Sequence, residues 1–248
     1  MPTPFTHLAI AQRLLHDVPI SHTLQQHKGA FLLGNIAADA RVGAGTARAD
    51  THFYQYGKPM DDHPWRVMVN HFPQLMHPHD TAHQVFLAGY VAHLSVDEYW
   101  TLNLTEPYFG RREWASLDER FFMLHILLIH MDTRDLNVLE NWQPQALAQA
   151  TPQNWLPFMP DKDLCYWRDL IYQQIKPGGK SQTLDIFSQR INRSPQEIEA
   201  VLNDPAAVQA RLWAHVPSTL VQQVESGMYT HAKEQMMVYW ETSNVGVV

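Results

Sequence analysis

His93 and Asp97 stand four residues apart in Gly89-Tyr90-Val91-Ala92-His93-Leu94-Ser95-Val96-Asp97-Glu98. On a helix that spacing sends both side chains from one face, about one turn apart. Two such donors suit a single metal ion, with ligand bonds of roughly 2.0–2.2 Å. The neighbours Leu87, Ala88, Val91, Leu94 and Val96 are apolar, and a charged aspartate among them needs a partner or a metal. A hydrogen-bonded His–Asp pair on a half-buried helix has the same spacing and is the plain alternative. Three more residues stand out. Asp39 closes the apolar stretch that begins at Phe31, where a solvated carboxylate is not expected; a helix-end aspartate is its alternative. His52, in Thr51-His52-Phe53-Tyr54, reads as a ligand or as a loop histidine. His7, near the start of the first helical stretch, reads as a ligand or as a surface or capping histidine.

The supply of donors narrows the chemistry. There are 15 histidines and one cysteine, and most of the histidines lie between His7 and His93. With Cys165 alone no intrachain disulfide forms, and a metal site must be built from imidazole and carboxylate. Cys165 has no histidine near it in sequence, and no glycine-rich phosphate loop ending in Gly-Lys is present. His79 and His83 lie too far along the helix from His93 and Asp97 to share a metal with both, and read as solvated or capping.

The elements that must carry these residues are helical. Phe5, Leu8, Ala9, Gln12 and Leu15 form one stripe, with Thr3 or Thr6 as N-cap. Residues 41–62 read as a glycine-punctuated loop, and 64–76 as a helix broken or bent at Pro73. Asp80 caps a long helix to about Leu104. Ser116 and Glu119 form a capping box before a helix over 117–133. A helix over 161–176 ends at Lys176-Pro177-Gly178-Gly179, Ser194-Pro195 opens another, and Ser218 caps a last one to about Glu241. No run of alternating β-branched residues appears. The fold class expected is all-α, as one domain over 1–248. Its metal-site half is about 1–135 and its amphipathic helical remainder about 136–248.

Composition sets the outer limits. The chain has 248 residues, 45% of them hydrophobic and 17% charged, and a formal net charge of −7. That is enough apolar content for a core and excludes a disordered tail. Net negative charge without a basic block argues against duplex DNA as partner. The run Phe121–Met131 is too short to span a bilayer and holds two histidines. Without a signal-like leader, and with one cysteine, the expected location is cytoplasmic.

The order of the candidates resembles the zinc-dependent phospholipase C family, whose fold the zinc-dependent single-strand nucleases share. Thr6-His7-Leu8-Ala9-Ile10-Ala11 is similar to its opening. Phe31–Asp39 is similar to its apolar stretch ending in proline-aspartate, with Ala38 for the proline. Thr51-His52-Phe53 and Phe86–Asp97 resemble the next two blocks. The resemblance spans about residues 3–104. It implies an all-helical fold in which Asp39, His52, His93 and Asp97 hold one zinc. His7 helps to hold a second, bridged to the first by Asp97.

Two departures go with it. Secreted relatives use their mature amino terminus as a further ligand, and this sequence shows no leader whose removal would create one. The family's third zinc takes a histidine about six residues after the paired aspartate, and a His-x-x-x-Glu beyond it. Here Asn103 stands at the first place, and no His-x-x-x-Glu comes after it. His125 and His130 point about 140° apart on a helix. One or two zinc ions are therefore expected, with the third site absent or rebuilt on Glu98, Asp132 or Asp135.

The activity implied is phosphoric ester hydrolysis by a metal-activated water, with Asp39 as ligand or as the base that orients that water. The leading substrate is a phosphoester, with phospholipid the family's main class. A single-strand nuclease or phosphatase variant uses the same site. A non-catalytic helical protein that keeps zinc for structure is the reading from a different class. Oligomeric state is open.

Overall fold

A computed structural model of the chain describes residues 1–243, positions 42 and 44 by their backbone alone. In chain order the helices are α1 (Pro4–Asp17), α2 (Ser21–Gln26), α3 (Lys28–Ala37), α4 (Arg41–Ala44), α5 (Ala49–His52), α6 (Pro64–His71) and α7 (Thr81–Trp100). Then come α8 (Leu117–Val138), α9 (Gln143–Ala148), α10 (Asp161–Ile175), α11 (Thr183–Ile191), α12 (Pro195–Leu202), α13 (Pro205–Val208) and α14 (Ser218–Thr242). Short 3-10 turns cover Ala38–Ala40 and Pro73–Met76, and π-helical turns cover Thr101–Arg111 and Gln209–Trp213. The described residues contain no strand, so the all-α expectation is borne out. None of their helices is long and apolar enough to cross a membrane.

Helix α7 is the axis. The Asp80 carboxylate accepts the His83 backbone N–H at 2.8 Å and starts it. From His83 to Glu98 every residue is buried, so this helix is enclosed all round rather than amphipathic. α3 packs on one side of it and α14 on another. On α14 the buried residues Val221, Val224, Met228, Ala232, Met236 and Tyr239 recur at three- and four-residue steps. That stripe is core. Against α3 the two backbones nearly touch. A Cβ on Gly34 would lie 2.0 Å from the Phe86 carbonyl oxygen, and one on Gly89 would lie 2.4 Å from that of Phe31. The crossing is possible only because both residues lack a side chain.

Local details depart from expectation where tertiary contacts compete. The 41–62 stretch is not all loop, because α4 and α5 form within it. The 64–76 helix ends at His71, and Pro73 begins a separate 3-10 turn. Thr3 is the N-cap of α1 but makes no side-chain cap bond. The Thr6 hydroxyl instead donates to Asp135 at 2.6 Å. Ser116 accepts the Glu119 N–H, yet the Glu119 carboxylate binds Arg211, so half of that capping box is missing. The box at Ser194 and Glu197 is complete. Ser218 lies inside α14, whose N-cap is Pro217.

His83 is buried rather than solvated, at 2% exposure. Its Nε2–H donates to the Trp155 carbonyl at 2.8 Å, and its Nδ1 accepts the His79 backbone N–H at 3.2 Å. Both nitrogens are used by the neutral ring, and protonation at Nδ1 breaks the second bond. Burial accordingly pushes the His83 pKa down to about 4, and does the same at His125. The unfolded chain, with histidine near 6.5, then binds more protons in acid, so stability falls as pH drops from about 6.5 to about 4. Each ring contributes up to ~3 kcal/mol to that loss. Urea denaturation with chelator present is expected to show a lower midpoint at pH 4.5 than at pH 6.5. His83→Gln should flatten the dependence; equal midpoints for the parent at both pH values would refute the account.

Candidate metal centre

Five residues from four segments converge beside α7. His7 comes from the start of α1, Asp39 from the 3-10 turn that continues α3, and His52 from the last residue of α5. His93 and Asp97 come from α7 itself. His7, His52, His93 and Asp97 have no exposed surface, and Asp39 is buried. These are the five residues singled out in the sequence, and the structure brings all of them together.

Two ties to α7 set the positions. The Tyr90 hydroxyl donates to the Thr51 carbonyl at 2.7 Å, fixing α5 against α7. After His52 the chain turns sharply, with Phe53 in the left-handed region at φ 60°. A bulky residue there carries about 1 kcal/mol or more of strain. The Phe53 ring is held by Phe72 and Phe158.

Asp39, His52 and His93 are close enough to share one ion, with Asp97 Oδ2 beside His52 and His93. His52 Nε2 lies 3.5 Å from Asp39 Oδ1, 3.4 Å from Asp97 Oδ2 and 3.5 Å from His93 Nε2. His93 Nε2 lies 3.7 Å from Asp97 Oδ2. Tetrahedral zinc with bonds of roughly 2.0–2.1 Å has ligand–ligand edges of roughly 3.3–3.4 Å. The tautomers fit as well. His93 Nδ1–H donates to the Asn35 carbonyl at 2.8 Å. His52 Nδ1 lies 3.0 Å from Thr51 Oγ1, whose own proton goes to the Arg48 carbonyl. Each ring thus directs its proton outward and turns an Nε2 lone pair inward, as outer hydrogen bonds do for metal-binding imidazoles. Two lone pairs facing each other repel unless a cation lies between them.

A second donor set adjoins the first. His7 stacks on His93 with ring centroids 3.9 Å apart, and its Nε2 is 3.5 Å from Asp97 Oδ1. Both His7 nitrogens and Asp97 Oδ1 are buried without a hydrogen-bond partner. Such orphaned groups cost roughly 1–3 kcal/mol each unless something binds them. Asp97 therefore faces both sets, one oxygen each. Burial would raise the pKa of Asp39 and Asp97, but N–H donation and positive charge from the imidazoles around them, His52 first for Asp39 and His7 first for Asp97, outweigh it and hold both below the usual carboxylate range; a cation between neutral rings acts in the same direction. Burial, then the neighbouring His7 ring, pushes His93 down to about 3. Anionic carboxylates beside neutral imidazoles are the protonation states a metal needs.

Another carboxylate–imidazole group lies apart from these. Glu98 accepts from His63 Nδ1 at 2.8 Å through one oxygen, and from His231 Nε2 at 3.1 Å through the other. Its geometry also permits a metal, but both of its oxygens are already satisfied. Of the other suggested replacements, Asp135 accepts from Thr6 and Arg134, and Asp132 accepts from Ser181 through Oδ2 while its buried Oδ1 has no partner. Asn103 is exposed and donates to the Tyr99 carbonyl at 2.9 Å, away from the centre.

Sequence reasoning missed Arg48. Its Nη2 lies 3.1 Å from Asp97 Oδ2 and donates to the Tyr54 hydroxyl at 2.6 Å. Its guanidinium sits over the rings of Tyr54 and Tyr56, at 4.3 and 4.6 Å from their centroids. An arginine inside a glycine-punctuated stretch carries no local signal of this; only the fold supplies its partner.

Residues 6–100 match the family model described as zinc dependent phospholipase C. That stretch contains all five converging residues, and it bears out the resemblance read from the sequence. No curated protein and no solved structure matches the chain.

Proposed function

From its zinc-dependent phospholipase C segment, we propose that this chain is a zinc-dependent phosphoric ester hydrolase. The observation that carries the reading is the inward pair of Nε2 lone pairs on His52 and His93, bounded by Asp39 and Asp97. Asp39, His52, His93 and Asp97 Oδ2 hold one ion. His7 and Asp97 Oδ1 serve a second. When bound, such ions make water a better nucleophile near neutral pH and offset phosphoryl charge in the transition state. The remaining work falls to side chains. Asp39, the only one of the five with an exposed side-chain surface (11%), is the one placed to orient the attacking water. Held below the usual carboxylate range, it serves as ligand and hydrogen-bond acceptor better than as proton acceptor. Arg48, beside Asp97, places a fixed cation next to the reacting phosphoryl group.

One observation favours the non-catalytic reading: four of the donors have no exposure, as in closed structural sites. Elemental mass spectrometry together with a phosphodiester assay separates the two. About two zinc ions per chain and hydrolysis of bis(p-nitrophenyl) phosphate are expected. His231→Ala should leave both unchanged, because Glu98 lies outside the centre. Tightly held zinc without hydrolysis supports the structural reading; no metal after reconstitution overturns both.

A further inference from the structure

We propose that the cavity beside the metal centre binds an anionic amphiphile, a phosphate-bearing acidic head on an apolar chain, in preference to a zwitterionic choline-type lipid. This names a substrate class for the hydrolase reading and rests on that reading for any chemistry after binding.

The cavity has a volume of about 870 Å³, within the range of small-molecule sites. The chain as a whole is negative, yet Arg41, Arg48, Lys58, Arg111 and Arg190 all line this space. The single carboxylate there, Glu106, is taken by Arg111 at 2.7 Å, and Arg48 is offset by Asp97. Arg41, Lys58 and Arg190 make no ion pair among the described residues. Arg41 Nε and Arg48 Nη1 are buried without any hydrogen-bond partner. Guanidinium groups collected against the trend of the whole chain, with donors left over, fit a ligand bearing several phosphate oxygens.

The rest of the wall is different. Phe121, Leu124 and Leu128 line it from α8 at steps of three and four residues, one stripe on one face. Leu124 and Leu128 are almost fully buried, whereas Phe121 is 37% exposed. An acidic head therefore meets the arginines while an apolar chain lies along α8. Arg48 joins this cavity to Asp97, so a head bound here lies beside the metal centre.

A quaternary ammonium head needs aromatic faces free to surround it. Of the two aromatic rings that line the cavity, Tyr56 is already covered by the Arg48 guanidinium, as is Tyr54 beside it, and Phe121 belongs to the apolar stripe of α8. Choline-type heads thus find a resident cation where their own would go.

Calorimetric titration with three probes tests this: dihexanoyl phosphatidic acid, dihexanoyl phosphatidylcholine and inorganic phosphate. The phosphatidic acid is expected to bind at least tenfold more tightly than either other probe, with and without chelator. Arg41→Gln with Arg190→Gln should cut that affinity at least tenfold, and Arg41→Lys with Arg190→Lys should restore most of it. Phe121→Ser should weaken the lipid and leave phosphate unchanged. Equal affinity for the two lipids overturns the charge preference. Equal affinity for phosphate and phosphatidic acid overturns the apolar half, and insensitivity to the arginine variants overturns the location. Binding is read without turnover, so the two readings fail separately. Charge-selective binding without hydrolysis sinks only the hydrolase, and hydrolysis without charge selection sinks only this proposal.

Discussion

Asp97→Asn is expected to strip the metal centre and abolish hydrolysis. Each carboxylate oxygen of Asp97 faces a different donor set, Oδ2 toward His52 and His93 and Oδ1 toward His7. Asparagine keeps the shape but supplies one neutral acceptor. Its amide N–H group would point either at the inward lone pairs of His52 and His93 or at His7, and no orientation serves both sets. The charge matters to the fold as well, because Asp97 is the ion-pair partner of Arg48 at 3.1 Å. Removing one member of a buried pair costs about 3–5 kcal/mol, although Arg48 is partly exposed (15%), which puts the loss here at the low end. Zinc per chain is expected to fall below one, and kcat/KM by roughly 10³-fold or more, which corresponds to ~4 kcal/mol of lost transition-state stabilisation. Circular dichroism should show the helices retained. A variant with full zinc and parental turnover would show that Asp97 is a structural carboxylate and that the centre lies elsewhere.

The i, i+4 pair on α7 is legible in sequence because periodicity puts His93 and Asp97 on one face without knowledge of the rest of the chain. Asp39 is legible for a related reason, as a carboxylate at the end of an apolar run. The family resemblance then joins His7 and His52 to them. Contacts between distant segments set the rest. Arg48 owes its position to Tyr54 and Asp97, neither of which marks it in sequence. His83 reads as a solvated residue near a helix start, and only the fold closes Trp155 over it. Glu119 has the sequence of a capping box, but Arg211, far along the chain, offers a charged partner instead. Helices α9 and α11 carry no strong start signal, and neither has a side-chain N-cap bond. Element type is a matter of local pattern, whereas side-chain commitments depend on which segments the core brings together.

The same separation makes Gly89 the most sensitive position away from the ligands. By helix propensity, alanine should be better there by about 1 kcal/mol. The crossing with α3 reverses the sign. The new Cβ would lie 2.4 Å from the Phe31 carbonyl oxygen and 3.1 Å from the Asn35 backbone nitrogen. Those atoms are main chain and cannot rotate away, so α3 and α7 must separate. Overpacking of this kind costs about 1–3 kcal/mol, and the loss extends along both helices because Gly34 is closer still to Phe86. With the propensity gain set against it, a net destabilisation of up to about 2 kcal/mol is therefore expected for Gly89→Ala. The functional effect arises through Asn35, whose carbonyl holds the His93 Nδ1 proton at 2.8 Å. Moving α3 away loosens that bond and frees the ring to turn its proton inward. Loss of such an outer hydrogen bond typically lowers metal affinity 10- to 100-fold. Gly43→Ala is the matched control. Its Cβ would meet only the Tyr166 ring, at 2.7 Å, and that side chain is 58% exposed and able to swing aside. Thermal unfolding and zinc titration of both variants decide the matter. Gly89→Ala should lose stability and zinc affinity together while Gly43→Ala changes stability by no more than about 0.5 kcal/mol. Gly89→Ala with unaltered zinc affinity would mean that the helix crossing supports the fold without setting the His93 tautomer.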